Sequence, residues 1–208
     1  MKEQNEISRE DKTLKDDWPP ADGTLGNRGE FLKVEPHAPD KSLAGALTSF
    51  FKEELKEGEK LCDLGCGCHG DYTLHFLENE IDCSGFDGNP HTPEQTNNVC
   101  GVRDLSEDFD DVYDWVLCLE VGEHIPRKYE KTFINNLHKN NRRGIILSWA
   151  VVGQTEYAPE HVNTQNNDYV KNIFSDLGYT NDTTLENRLR NAAEARWFKN
   201  TIMVFRKD

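Results

Sequence analysis

The stretch Lys60-Leu-Cys-Asp-Leu-Gly-Cys-Gly-Cys-His-Gly-Asp-Tyr-Thr73 decides how this chain folds. Its apolar start predicts a strand, its glycines predict a tight turn, and the segment from Asp71 predicts a helix. Glycine is needed in such a turn because the backbone takes positive φ angles there and because a ligand can approach bare backbone. A strand, a glycine turn and a helix in this order hold nucleotide-like ligands at the carboxyl end of a parallel sheet.

Predicted strands and helices alternate along the rest of the chain, which indicates an α/β fold with a mainly parallel sheet and helices on both faces. The predicted helices are Asp40–Glu57, Asp71–Glu78, Arg127–His138, Asp168–Leu177 and Thr184–Ala195, the last with a capping box at Thr183 and Glu186. The predicted strands are Lys60–Leu64, Ile81–Phe86, Val99–Val102, Asp114–Leu119, Gly144–Trp149, Tyr179–Asp182 and Thr201–Phe205. The spatial order of the last two strands does not follow from the pattern.

The length of 208 residues suits one domain with a full core. We divide the chain into a charged tail (1–17), an arm and helix that form part of a lid (18–58), and a main domain (59–208). The net charge of −14 and the lack of a basic stripe argue against a nucleic-acid partner. No apolar run reaches the roughly 20 residues that cross a bilayer, and the first 17 residues lack the apolar segment of a secretion signal, so we expect a cytoplasmic protein.

Six cysteines are present, and in a cytoplasmic protein we expect them to be free thiols. Cys66, Cys68 and His69 resemble part of a zinc site. A second cysteine pair that would complete a tetrahedral shell is missing from the sequence, so no structural zinc is predicted.

The glycine turn suits two ligand classes, dinucleotides and S-adenosylmethionine. Gly65-x-Gly67-x-x-Gly70 matches the dinucleotide spacing, which by itself is a weak signal. Asp63 distinguishes the two, because an acidic side chain repels a pyrophosphate and suits the positively charged amino-acid end of S-adenosylmethionine.

Four motifs in order resemble those of class I S-adenosylmethionine-dependent methyltransferases. They are Asp63-Leu-Gly-Cys-Gly67, Asp87 after the second strand, Asp104-Leu105 after the third, and Leu119-Glu-Val-Gly-Glu-His-Ile-Pro126 after the fourth. The resemblance covers about 60–205 and implies a single-domain Rossmann-like fold with a seven-stranded, mainly parallel sheet. It also implies S-adenosylmethionine as cofactor and S-adenosylhomocysteine as product. Cys68-His69 adds one residue before Gly70 relative to the commonest turn of the family, which weakens the expectation that Gly70 contacts the ligand.

The resemblance also implies a set of cofactor-binding residues. Gly65 and Gly67 would carry the methionine part, and Asp63 would lie near its amino group. Two neighbouring ribose hydroxyls would donate to Asp87, whose carboxylate has two oxygens to accept them. Asp104 would accept from the adenine amino group while Leu105 packs on the ring. The full predicted set is Asp63, Gly65, Cys66, Gly67, Asp87, Gly88, Asp104, Leu105 and Glu120.

The methyl acceptor is expected near the end of the fourth strand and under the long loop 153–166. Glu120, His124 and His161 are the candidate catalytic residues, since histidine is the usual base near neutral pH. Each histidine also has a structural alternative: His124 as a link between loops and His161 as a surface residue. The candidate substrate-binding residues are Trp149, Gln154, His161 and Asn163. Glu120, Glu123, His124 and His161 are also residue types that bind divalent ions, but their spacing gives no direct support, so no metal is predicted.

We therefore predict an enzyme of the EC 2.1.1 type, a monomer or homodimer that methylates nitrogen or oxygen of a small polar molecule. Two alternatives remain open. One is a protein or peptide methyltransferase whose acidic loop Glu107–Asp111 receives basic peptides. The other is a module that binds S-adenosylmethionine without catalysis. A dehydrogenase is disfavoured by Asp63.

Overall fold

A computed structural model describes residues 23–34, 38–154, 158 and 160–207. The predicted tail over residues 1–17 and the start of the predicted arm lie outside these residues. The helices are α1 (Lys41–Glu54), α2 (Asp71–Glu78), α3 (Thr92–Gln95), α4 (Glu130–Lys139), α5 (Asn167–Asp176), α6 (Thr183–Ala192) and α7 (Phe198–Thr201). The strands are β1 (Leu61–Leu64), β2 (Cys83–Asp87), β3 (Gly101–Val102), β4 (Tyr113–Cys118), β5 (Asn141–Leu147), β6 (Tyr179–Asn181) and β7 (Met203–Lys207). None of the helices that the structure describes combines the length and apolar character that a membrane span requires.

The strands form one seven-stranded sheet in the order β3-β2-β1-β4-β5-β7-β6. Strands β1 to β5 pair with parallel neighbours, and β7 runs antiparallel between β5 and β6. The strand order reverses between β1 and β4, so the carboxyl ends of these two strands border the crevice in which open α/β sheets bind ligands. The predicted Rossmann-like fold with a seven-stranded, mainly parallel sheet is confirmed.

Alternate residues of β4 face the two apolar cores on either side of the sheet. Val116 packs into one core with Phe133 of α4 and Phe174 of α5. Trp115 and Leu117 pack into the other core, which α1, α2 and α6 cover. Because helices cover both faces, β4 is buried along its whole length and its sequence is a nearly continuous apolar run.

The described part of the N-terminal arm packs against the main domain. Leu25 is buried, and Arg28 forms an ion pair with Asp104 in the loop after β3. A Cβ atom at Gly29 would lie 2.0 Å from the carbonyl oxygen of His124. The arm therefore contacts the loops after β3 and β4 directly.

Two element boundaries differ from the sequence prediction because polar side chains take part in hydrogen bonds. Helix α6 is capped by Asp182, whose carboxylate accepts a hydrogen bond from the N–H of Leu185, rather than by Thr183. Strand β5 begins at Asn141 rather than Gly144. The buried Nδ2 of Asn141 donates to the carbonyl oxygen of Leu137 and to the hydroxyl of Tyr179, both outside β5, so a polar residue can begin this strand.

Leu47 and Leu77 offer a matched test of the core. Leu47 of α1 is fully buried, whereas Leu77 of α2 is 39% exposed. We expect Leu47→Ala to lower the free energy of unfolding by about 2–5 kcal/mol, because truncation removes buried apolar surface and leaves a cavity. Leu77→Ala should lower it by less than about 1 kcal/mol. Urea unfolding followed by circular dichroism measures both values, and equal losses would contradict the packing of α1 in the core.

Candidate active site

A cavity of about 550 Å³ lies at the carboxyl ends of β1, β2 and β4. The glycine turn after β1 and the end of β2 border one half of it, and the loop after β4 together with residues 160–161 borders the other. The cavity is also lined by Gly29, Glu30, Phe31 and Lys33 of the arm and by Trp197 and Phe198 at the start of α7. A concave site of this size at the reversal point of a parallel sheet is a common place for a small-molecule ligand.

The glycines of the turn have different structural roles. Gly65 (φ +84°) contacts the loop after β4 closely, since a Cβ atom there would lie 2.2 Å from Cγ2 of Val121. Within the described part of the chain, Gly67 (φ +74°) has no heavy atom within 4 Å of its Cβ position, so its bare backbone faces open space there. Gly70 caps α2 and faces Cys100, outside the cavity wall. The turn therefore offers Gly65 and Gly67 to a ligand, and Gly70 supports the start of the helix.

Asp87 ties the glycine turn to the end of β2. Its Oδ2 accepts a 2.8 Å hydrogen bond from the N–H of Gly67, and its Oδ1 accepts one of 2.8 Å from the N–H of Asn89. The carbonyl oxygen of Phe86 accepts two further N–H groups of the turn. Asp87 and the neighbouring Gly88 both line the cavity.

Asp63 lies beneath the glycine turn and does not line the cavity. It is 2% exposed, and the hydroxyl of Thr73 donates a 2.8 Å hydrogen bond to its Oδ2. Burial raises the pKa of Asp63 to about 7. Its position does not support a direct contact with the amino group of a ligand.

The two predicted adenine contacts separate in the structure. Leu105 is buried and lines the cavity. Asp104 is not part of the cavity wall, because its Oδ1 accepts hydrogen bonds from the N–H and hydroxyl of Ser106 and its Oδ2 pairs with Arg28 at 2.7 Å. Asp104 fastens the arm to the loop after β3, and this role replaces the predicted adenine contact.

Two glutamates follow β4 in the acceptor half of the cavity. Glu120 has a φ of +54°, and its Oε1 accepts a 3.3 Å hydrogen bond from the hydroxyl of Thr201. Glu123 is fully buried, and neither of its carboxylate oxygens has a fully formed hydrogen bond among the described residues, although the backbone N–H groups of Glu123 and Ala150 lie near it. Burial raises the pKa of both carboxyl groups, and the negative charge of Glu120 raises that of Glu123 further. Two carboxylates cannot donate to each other, so this pair is stable only with a shared proton or a nearby cation.

The structure brings His124 and His161 together from two loops. Their ring centroids are 5.0 Å apart and the rings are nearly perpendicular. The carbonyl oxygen of Glu123 holds the loops together, since it accepts the N–H groups of Val162 and Asn163 at 2.8 and 2.9 Å. Burial lowers the pKa of His161, so its imidazole is neutral near pH 7 and can accept a proton or bind a cation.

Three of the predicted substrate-binding residues lie outside the cavity wall. The fully buried Trp149 donates its indole N–H to the carbonyl oxygen of Asn163 at 2.6 Å, and the Asn163 amide donates to the Glu130 carboxylate at 2.9 Å. Gln154 accepts a hydrogen bond from a backbone N–H of its own loop. The predicted role of Trp149 and Asn163 is therefore corrected, because these side chains support the loop that carries His161.

Several aromatic residues that line the cavity are not among the site residues predicted from the sequence. Phe31 of the arm contacts the ring of His124 edge-on, with 5.0 Å between centroids. Trp197 lines the cavity while 48% of it is exposed, and Tyr72 at the start of α2 also lines it. The signals in the sequence were the Trp197-Phe198 pair before the last strand and the apolar residues within the Gly- and Pro-rich arm.

Solved structures with this arrangement of elements include several methyltransferases. The magnesium protoporphyrin IX methyltransferase (ChlM) of Synechocystis, crystallised with S-adenosylhomocysteine, is 18% identical, with a TM-score of 0.61 over 81% of this chain and 83% of that one. A TehB-like methyltransferase of Corynebacterium glutamicum is 15% identical, with a TM-score of 0.57 over 80% and 88%. The methyltransferase domain of bacterial CtHen1-C is 15% identical, with a TM-score of 0.57 over 81% and 99%. Comparisons with sequence models of protein families and with curated proteins give no match.

This chain has the class I methyltransferase fold. At these identities of 15–18% the likeness extends to the fold alone, and the residues of the cavity determine the chemistry.

Asp63 is expected to make stability depend on pH. Its pKa in the folded chain is about 7, compared with an ordinary value of 3.8. Between these values the folded chain keeps a proton that the unfolded chain has lost, so stability falls as the pH rises from about 4 to about 7. In Asp63→Asn we expect the free energy of unfolding to fall by about 2–4 kcal/mol less over this pH range than in the unmodified chain. Urea unfolding at several pH values measures this difference. Asp110→Asn, at a side chain that is 90% exposed, should leave the decrease intact, and an unaltered pH profile in Asp63→Asn would contradict the protonated state.

Proposed function

We propose that this protein binds S-adenosylmethionine in the cavity and transfers its methyl group to a nitrogen or oxygen atom of a small polar molecule. The main support for this function is that the two halves of one cavity have different chemistry. Gly67, Asp87 and Leu105 line a half suited to a nucleoside, and Glu120 and His161 line a half with ionisable side chains. The ChlM structure has this fold and contains S-adenosylhomocysteine, which is the product expected here.

The cofactor half matches the parts of S-adenosylmethionine. Each oxygen of the Asp87 carboxylate accepts a backbone N–H, and a carboxylate oxygen can accept more than one hydrogen bond, which suits the two ribose hydroxyls. The open space beside Gly67 admits the methionine part against bare backbone. Leu105 supplies an apolar surface for the adenine ring. Asp63 contributes from beneath the turn, without direct contact.

Methyl transfer needs little more than alignment, because the methyl group on a sulfonium is already activated. The protein places the acceptor atom in line with the S–CH3 bond and excludes water. The bond from the acceptor to the methyl carbon forms as the S–CH3 bond breaks, and the electron pair of that bond stays on sulfur. A protonated acceptor must also lose its proton, and the neutral His161 is the first candidate to take it. Glu120 and His124 line the same half and are the other candidates.

Contacts of the arm favour a small acceptor over a peptide. Several residues of the segment 29–33 line the cavity, which suits the lid that the sequence analysis predicts for this arm. The acidic loop that would receive a basic peptide already pairs with cations, since Glu107 contacts Arg28 and Asp111 contacts Arg103 at 2.6 Å. The net charge of −14 also opposes a polyanionic acceptor.

Two measurements test the proposal. Calorimetry should show binding of S-adenosylhomocysteine and none of NAD, and the reverse result would refute the proposed cofactor. Protein incubated with a cell extract and methyl-labelled S-adenosylmethionine should place label in the low-mass fraction. Label in the protein fraction would favour the peptide alternative, and cofactor binding without any transfer would favour the non-catalytic module.

Asp87→Ala should weaken binding of S-adenosylhomocysteine about 10- to 100-fold, because a charged acceptor of the ribose hydroxyls is lost. Asp87 also holds the turn, so Asp87→Asn, which keeps the shape of the side chain, is measured beside it and should weaken binding as well. The exposed Asp110→Ala is the control and should bind like the unmodified protein. Unchanged affinity in both Asp87 variants would remove this residue from the site.

A further inference from the structure

A carboxylate and two imidazoles meet in the acceptor half of the cavity. Glu123, His124 and His161 each offer one ligand atom, and these atoms all lie within 4.8 Å of one another. All three residues line the cavity. The sequence offers these residue types, but their spacing does not show that they meet, because His161 belongs to a different loop from the other two residues.

Glu123 is the residue in the cluster that most needs a cation. It is fully buried, neither of its oxygens has a fully formed hydrogen bond among the described residues, and the nearby backbone N–H groups of Glu123 and Ala150 offset its burial only in part. A second carboxyl, that of Glu120, lines the same part of the cavity and repels it. Nδ1 of His161 is also buried, and none of the residues that the structure describes forms a hydrogen bond with it. Buried polar atoms are normally satisfied, so several unsatisfied acceptors around one point indicate a missing positive ligand.

The ligands are held by the backbone around them. The carbonyl oxygen of Glu123 accepts hydrogen bonds from two N–H groups that directly follow His161, which fixes the two loops to each other. Nδ1 of His124 lies 3.2 Å from the carbonyl oxygen of Glu160. A carbonyl only accepts, so this contact assigns the proton of the His124 imidazole to Nδ1 and leaves its other nitrogen as an electron-pair donor. Metal-binding histidines are commonly oriented by such a contact.

We propose that Glu123, His124 and His161 bind a divalent transition-metal ion. Ligand atoms at about 2.0–2.2 Å from one ion lie about 3.0–3.5 Å from each other in octahedral or tetrahedral geometry, so rotation of the side chains must bring the three atoms closer together to close the set. One carboxylate and two imidazoles suit Mn²⁺, Fe²⁺, Co²⁺ or Zn²⁺ better than Mg²⁺ or Ca²⁺, which prefer oxygen ligands throughout. Glu120, water or the acceptor could fill the remaining positions. This site replaces the sequence-based expectation of no metal.

The ion would select an oxygen acceptor, an inference that rests on the proposed function. A hydroxyl bound to the ion loses its proton to solvent water more readily, because the metal charge stabilises the oxyanion. The oxygen then forms the bond to the methyl carbon as the S–CH3 bond breaks and its electron pair stays on sulfur. The ion keeps its oxidation state. In this arrangement His161 is a metal ligand and not a base, because the bound ion promotes the loss of the proton from the acceptor.

Titration with CoCl₂ tests the site directly. The full chain is prepared without a histidine tag, and any bound metal is stripped with EDTA, which is then removed. Binding of Co²⁺ is followed by calorimetry and by visible absorption. We expect saturable binding of one Co²⁺ per chain, with absorption bands of nitrogen and oxygen coordination. Glu123→Gln and His161→Ala should each weaken binding at least about tenfold, since losing even an outer-shell partner of a metal ligand costs that much. Glu94→Gln and His91→Ala, at exposed positions, should bind like the unmodified chain.

Absence of saturable Co²⁺ binding in the unmodified chain, or binding that neither Glu123→Gln nor His161→Ala weakens, would overturn the proposal and leave a shared proton between Glu120 and Glu123. Circular dichroism checks that both variants fold, and His161→Ala carries the test alone if the buried Glu123→Gln does not. Calorimetry with S-adenosylhomocysteine on the same samples keeps the two proposals separate. If the chain binds S-adenosylhomocysteine but not Co²⁺, only the proposed metal site is refuted. If it binds Co²⁺ but not S-adenosylhomocysteine, only the proposed cofactor is refuted.

Discussion

The end of β2 holds the glycine turn after β1 through three successive N–H groups. Those of Gly65 and Cys66 donate to the carbonyl oxygen of Phe86, and that of Gly67 donates to the carboxylate of Asp87. A turn at positive φ has no neighbouring strand residue to satisfy these donors, and leaving them unpaired in a buried site would be costly. The same bonds keep the backbone of Gly67 open towards the cavity and direct the chain into α2. The cofactor half of the site depends on this contact.

The acceptor half depends on a second set of bonds, in which buried polar groups replace apolar packing. The carbonyl oxygen of Glu123 holds the loop that carries His161. Behind that loop, the carboxylate of Glu130 accepts hydrogen bonds from Asn163, Gln165 and Tyr169. Fully satisfied networks of this kind make an arrangement rigid and unique. The unsatisfied carboxyl of Glu123 stands apart from this network, which is why it points to a function rather than to support.

Local patterns predicted much of the architecture. The apolar run of β4 follows from burial on both faces, and the acidic residues at the ends of successive parallel strands had to come to one edge of the sheet. Predictions that depended on contacts between distant segments were less successful. Trp149 and Asn163 were expected to bind substrate, yet they donate hydrogen bonds within the support of a loop. A polar or aromatic side chain looks the same in sequence whether it faces a cavity or closes a buried hydrogen bond.

The sequence by itself determined the strand, glycine turn and helix around Gly65 and Gly67, because positive φ and hydrophobic periodicity are properties of a few adjacent residues. Only the tertiary structure decided that β7 lies between β5 and β6. It also decided which acids face the cavity, with Asp87 in the wall and Asp63 beneath the turn. It brought His161 beside Glu123 and His124 as well, since two loops so far apart along the chain meet only after the sheet has placed their ends side by side.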